Sequence, residues 1–223
     1  MKNILCYGDS NLRGCIPASF DEKTSLHSRY ARDQRWPGIL QRKLGKQYHI
    51  IEEGLAGRTT NLDELIPNKP PRNGWKDLPL FLESHYPLEI VILSLGTNDI
   101  RARFNRTPEQ ITQAMSQLIE LVKNSNKGPS GQAPEILLIA PPIIRQPEIF
   151  SASFQLEFPL EAIKNSEKLP IFYQKLSQKQ EIGFLDASKI VTSSKLDGVH
   201  WEASQHQILA EAILTKIKMM SEK

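Results

Sequence analysis

The feature that most constrains this chain is a nine-residue apolar run, "LEIVILSLG" at 88–96, which stops on a glycine. A run without polar alternation, too short for a long helix, reads as a strand buried on both faces. Four shorter runs resemble it: "NILCY" (3–7), "YHIIEEG" (48–54), "EILLIAPP" (135–142) and "IGFLDAS" (182–188). Between them lie helical patterns. "RWPGILQRKLG" spaces Trp36, Ile39, Leu40 and Leu44 helically and ends on Gly45. "DLPLFLESHY" predicts a short helix opening near Asp77. "TPEQITQAMSQLIELVK" has Thr107 as an N-cap, Pro108 in the first turn and an apolar stripe from Ile111 to Val122. "PLEAIKNSEKLPIFYQKLSQKQ" is helical with Pro170 as an expected break or kink, and "EASQHQILAEAILTKIKMM" is a final helix. Strands alternating with helices give an α/β protein: a parallel five-stranded sheet with helices on both faces. The chain, 1–223, reads as one domain, because its one polar linker, 124–134, is too short to separate two. Residues 143–160 read as an irregular apolar flap carrying Ile143, Ile144, Ile149, Phe150, Phe154 and Phe158, either a groove wall, core or an oligomer contact. The flap leaves a homo-oligomer open.

Composition narrows the partners. Twenty-eight basic residues against 25 acidic ones give a net charge of +3 with no basic block, which argues against nucleic acid. No apolar stretch reaches the about 18 residues of a membrane span, and "MKNILCYGDS" lacks the h-region of a signal peptide, so a cytoplasmic protein is expected. Cys6 and Cys15 fit neither a disulfide framework nor a zinc site.

In parallel sheets ligands bind beyond the carboxyl ends of the strands, and polar residues of special type stand there. Ser10 follows the first strand, Gly57 the second, Asn98 the third, and Asp197 with His200 the last. The first turn fits neither G-x-G-x-x-G nor G-x-x-x-x-G-K-[ST], and Ser10 is not in G-x-S-x-G. Asp197 and His200, three apart across Gly198, can pair so that the carboxylate fixes the imidazole tautomer and the other ring nitrogen faces outward. Singly, each of these is more often a cap, a turn or a surface pair. His27, His49, His85 and His206 have no companion Asp at useful spacing and read as surface or packing residues. Asp9 and Asp99 read as turn-stabilising, and Arg58 as a salt-bridge partner.

Together and in order, "GDSN", "GLAGRTT", "GTND" and "DGVH" resemble the four blocks of the SGNH, or GDSL-type, serine hydrolases. "DQRWPGIL", "EEGLAGRTT" and "LSLGTNDIRARFNRTP" are most similar to the bacterial arylesterase and acyltransferase branch. The resemblance implies a three-layer flavodoxin-like fold and a small-molecule ester substrate. It implies Ser10 as nucleophile, His200 as base, Asp197 as its orienting partner, and an oxyanion hole from Ser10, Gly57 and Asn98. It requires no metal or organic cofactor. It implies a hydrolase of short-chain esters, with acyl transfer where water is excluded. Carbohydrate acetylesterase, lysophospholipase and thioesterase are the alternatives within the family, and a non-catalytic flavodoxin-like binding module is the alternative outside it. Asn11, Arg13, Cys15 and Trp201 are the expected substrate-pocket residues, Arg13 and Cys15 standing where the branch often carries bulky aromatics.

Overall fold

The computed structural model describes residues 1–64, 69–148 and 152–221. Five strands form one sheet: β1 (Lys2–Gly8), β4 (Tyr48–Gly54), β5 (Ile90–Ser94), β6 (Glu135–Ala140) and β7 (Gly183–Asp186). Their order across the sheet is β4-β1-β5-β6-β7, and every neighbouring pair is parallel. The chain leaves β1 toward one edge and returns to its other side at β5. The strand order therefore reverses between β1 and β5, and the crevice beyond their carboxyl ends is where such a sheet binds ligands.

Alternate side chains of each strand enter opposite layers. Leu5, Tyr7, Val91 and Leu93 face one layer, where they meet helices α3 (Gly74–His85), α4 (Pro108–Lys123) and α6 (Leu160–Lys179). Ile4, Cys6, Ile90 and Ile92 face the other, against α2 (Trp36–Leu44) and α7 (Ala203–Ser221). The result is the three-layer flavodoxin-like α/β arrangement. The apolar stripe of α4 is buried as its periodicity requires, and its start is a capping box between Thr107 and Gln110.

The structure departs from the sequence expectations in four places. Residues 15–29 form an antiparallel hairpin, β2 (Cys15–Asp21) and β3 (Leu26–Arg29), separate from the main sheet. Its strands are interrupted by Pro17 and a register shift, so they carry no clean alternation to read. Helix α3 starts at Gly74, three residues before Asp77, because the Asn73 side chain caps it by accepting from the Lys76 N–H. Pro170 does not end α6: Leu169, Pro170 and Tyr173 are buried, and packing against α4 carries the helix through. Within the expected flap, Ala152–Glu157 form a short helix, α5, while Ile144 and Phe158 are buried in the core. Ile149 and Phe150 lie outside the described residues.

Gly8 marks how closely β1 and β5 approach at the switch point. A Cβ there would sit 2.6 Å from the Ser94 carbonyl oxygen and 3.0 Å from Leu12. Neither can yield cheaply, since one is backbone and the other core. Gly8→Ala should therefore lose stability on the order of 1–3 kcal/mol. Urea unfolding measures this, and an unchanged midpoint would contradict the close approach.

Candidate active site

At the end of β1 the Asp9 side chain accepts from the Asn11 N–H (2.9 Å) and opens α1 (Ser10–Arg13), a single turn closed by Gly14 N–H donating to the Ser10 carbonyl. Ser10 thus occupies the first helical position, where an N–H has no intrahelical acceptor. The Asn11 amide donates to the Val199 carbonyl (3.3 Å), which ties this turn to the loop carrying His200.

Strand β4 leads into Gly57, whose φ of +81° is a left-handed conformation that glycine adopts without strain. Its neighbour Arg58 is buried. The guanidinium donates to the carbonyls of Gly8 (2.9 Å) and Glu53, and lies over the Tyr7 ring 4.2 Å from its centroid. Asp77 is its carboxylate neighbour, but at 4.0 Å. Asn98, in the turn after β5, donates one amide N–H to the Arg58 carbonyl (3.0 Å). Among the described residues the Ser10 and Gly57 N–H groups donate to no other protein acceptor. Next to Asn98, Asp99 is fully buried and accepts from the Thr60 N–H (3.0 Å) and hydroxyl (2.5 Å).

The last contribution is the loop before α7. Asp197 Oδ1 accepts the N–H groups of Val199 (3.0 Å) and His200 (2.9 Å). Its Oδ2 receives His200 Nδ1 at 2.7 Å and the Ala18 N–H of the hairpin at 2.9 Å. Burial alone would raise this carboxyl, but the bond and charge of His200, with the N–H groups of Ala18 and Val199, outweigh it and hold Asp197 well below the usual carboxylate range. The donor at Nδ1 leaves Nε2 as the free ring nitrogen.

Ser10, Gly57, Asn98, Asp197 and His200 all line one cavity of about 390 Å³. Among the described residues no hydrogen bond joins the Ser10 hydroxyl to His200. Such bonds are often long in empty sites and tighten around substrate. The four expected pocket residues lie elsewhere. Asn11 is buried against the Val199 loop, and Arg13 turns back to donate to Cys15 Sγ and the His27 carbonyl. Cys15 is fully buried, and Trp201 lies in the core beside His206. The walls come instead from the hairpin (Ala18, Phe20, His27), from Arg101, and from Phe154, Glu157 and Phe158 in and after α5. His27, read from sequence as an ordinary surface or packing residue, holds its ring tilted against that of His200, with the centroids 4.7 Å apart. Only the pairing of β2 with β3 brings it there, and nothing in its sequence neighbourhood signals that.

Such a site offers a hydroxyl, an imidazole with a fixed tautomer, and N–H donors converging on one space. The combination belongs to acyl-transfer hydrolases. The family model described as GDSL-like lipase/acylhydrolase matches residues 6–207, and the chain belongs to that family, the SGNH/GDSL hydrolases. It is a carboxylic-ester hydrolase by that membership and by its structural neighbours. An aryl esterase from M. smegmatis is 35% identical, with 98% of this chain and 99% of that one covered at a TM-score of 0.89. A carbohydrate acetylesterase from Sinorhizobium meliloti is 36% identical, covering 99% and 100% at 0.87. A lipase/acylhydrolase from Enterococcus faecalis, 18% identical over 99% and 97% at 0.62, shares the fold. The comparison with curated proteins gave no match. Among the described residues no helix is long and apolar enough to cross a membrane.

Three buried groups and the half-buried His27 set opposing pH dependences. Burial pushes Asp9 and Asp99 up to about 6, and lowers His27 and His206 to about 4. As pH falls from 6.5 to 4 the unfolded state gains more protons at the two histidines, which weakens the fold. Between 6 and 3.8 the folded state gains more at the two aspartates, which strengthens it. The two effects offset one another. Below 3.8 the stability held in ionised Asp197 is lost. His206 is fully buried, with Nδ1 accepting from the Trp36 N–H. His206→Gln removes one histidine contribution, so relative to wild type it should gain stability at pH 4.5 compared with pH 7. Urea unfolding at both pH values tests this; parallel profiles would show that His206 does not resist protonation in the fold.

Proposed function

We propose that this protein is a serine esterase for short-chain esters of small alcohols, working through an acyl-Ser10 intermediate. The observation that carries the reading is the Asp197–His200 pair facing the same cavity as Ser10, Gly57 and Asn98. Ser10 Oγ attacks the ester carbonyl carbon while His200 Nε2 takes its proton. The carbonyl oxygen, now an anion, sits against the N–H groups of Ser10 and Gly57 and the second amide N–H of Asn98. Collapse breaks the bond to the leaving alkoxide, which takes the proton from His200. Water, activated by the same imidazole, then releases the acid and restores Ser10. Another alcohol in the place of water gives a new ester, so acyl transfer uses no additional group. The Arg58 carbonyl fixes the Asn98 amide in advance, so this donor needs no reorganisation as charge develops.

The hairpin gives His200's surroundings an aromatic lining, Phe20 and His27, which suits a flat leaving alcohol. Aryl esters are therefore the first substrates to try, in line with the 35% identical aryl esterase. Acetylated sugars are the second, on the strength of the carbohydrate acetylesterase neighbour. Hydrolysis of p-nitrophenyl acetate, set against release of acetate from a peracetylated sugar, separates the two.

Ser10→Ala should abolish turnover of both; full activity in this variant would end the reading. Asn98→Ala should lower kcat by about 10²–10³. Asp197→Asn should lower it by about 10⁴, because the imidazole loses its fixed tautomer. Folded Asp197→Asn protein with undiminished kcat would remove Asp197 from the mechanism.

A further inference from the structure

The cavity wall contains a feature that ester hydrolysis does not require, a half-buried ion pair. Arg101 follows Asn98 by three residues, and its Nε lies 3.5 Å from Glu157 Oε2 at the end of α5. Glu64 approaches Arg101 from a third segment, at 3.8 Å, and Arg103 joins the group, bonding Glu157 Oε1 at 3.0 Å and contacting Glu64. Two arginines and two glutamates thus balance in charge. They do not balance in geometry: Arg101 Nε, Glu157 Oε2 and Glu64 Oε2 are all shut off from solvent without a hydrogen-bond partner. Arg101 and Glu157 line the same cavity as Ser10, next to Phe154 and Phe158.

We propose that the Arg101–Glu157 pair is a specificity element that closes the acyl end of the cavity and confines the enzyme to short acyl groups. This rests on the esterase reading above. His200 must hand its proton to the leaving oxygen, so the alcohol occupies the side built by the hairpin: Ala18 bonded to Asp197, His27 packed at a tilt against His200, and Phe20 packed at a tilt against His27. The oxyanion occupies the Gly57 and Asn98 donors. The direction left for the acyl substituent is the wall made by the Asn98 turn and α5, where the pair stands. Each methylene buried on an apolar wall ordinarily improves binding about fourfold. A chain laid over this pair instead strips its remaining water from two charges whose contact is too loose to compensate. The same pair gives a second signature. Removing the carboxylate while keeping its shape leaves Arg101 with one distant partner, Glu64, and makes it a receptor for an acid at the far end of an acyl chain.

The test compares p-nitrophenyl acetate, butyrate, valerate and octanoate with the p-nitrophenyl monoester of glutaric acid, reading kcat/KM for wild type and two variants. Wild type should show no gain from acetate to octanoate. Arg101→Met with Glu157→Leu, which replaces the pair by apolar residues, should raise the octanoate-to-acetate ratio at least tenfold. Glu157→Gln should raise the glutarate-to-valerate ratio at least tenfold, a change that loosened packing alone would not produce. Circular dichroism reports whether each variant folds; should the double variant fail to fold, the Glu157→Gln ratio decides. Ratios that match wild type in a Ser10-dependent enzyme would overturn the specificity element and leave the esterase reading standing. A wild type that already favours octanoate would overturn it too. A wild type inactive on every ester would remove both.

Discussion

The site depends on one buried cation. The Arg58 guanidinium holds the carbonyls of Gly8 and Glu53, at the carboxyl ends of β1 and β4, and rests on Tyr7 with Phe81 further off. A buried charge costs stability unless it is well partnered. Here two carbonyl dipoles and an aromatic face supply what the 4.0 Å approach of Asp77 does not. The return is positional. With its side chain fixed to β1 and β4, Arg58 presents its own carbonyl to the Asn98 amide after β5. One residue thereby joins three adjacent strand ends, and Ser10, Gly57 and Asn98 leave those ends as a set.

The imidazole is fixed from the opposite layer. Trp201, the residue after His200, is buried with Ile213 and Ile217 of α7, so the loop is pinned by the core immediately beyond the functional side chain. On the near side the His200 carbonyl accepts from the Ser194 N–H at 2.7 Å, and Asp197 binds the loop's own N–H groups. A ring anchored before, behind and through Nδ1 has little rotamer freedom left to lose when a substrate arrives.

The sheet was legible in the sequence because strands buried on both faces must be apolar at every position, and 90–93 and 136–140 meet that demand. Helix α4 was legible for the complementary reason, a 3.6-residue stripe with a cap. The positions of Ser10, Gly57, Asn98, Asp197 and His200 at one end of the sheet followed from parallel topology. The pocket walls did not. Asn11 was expected there beside Ser10, and Arg13 and Cys15 because they stand where the resembled branch often carries bulky aromatics, but a helical turn rotates each successive side chain by about 100°, and the hairpin begins at once. Trp201, in the irregular segment before α7, packs into the core beside His206. His27 and Glu157 entered the wall through antiparallel pairing and through α5, segments whose composition carries no periodicity. Pro170 misled in the other direction, since burial of its helix face outweighed the lost backbone bond.

That division has a mechanistic consequence. The chemical groups stand in the turns beyond the strand ends and in the loop before α7, whereas the groups touching the variable parts of a substrate stand on the hairpin and α5. The two sets meet at Asp197 Oδ2, which accepts from the Ala18 N–H of the hairpin as well as from His200. Any shift of the hairpin to admit a bulkier alcohol takes one donor from that oxygen. That oxygen is then left with the imidazole as its donor. In this arrangement the wall that selects the alcohol and the base that moves its proton are not independent, because one carboxylate oxygen serves both.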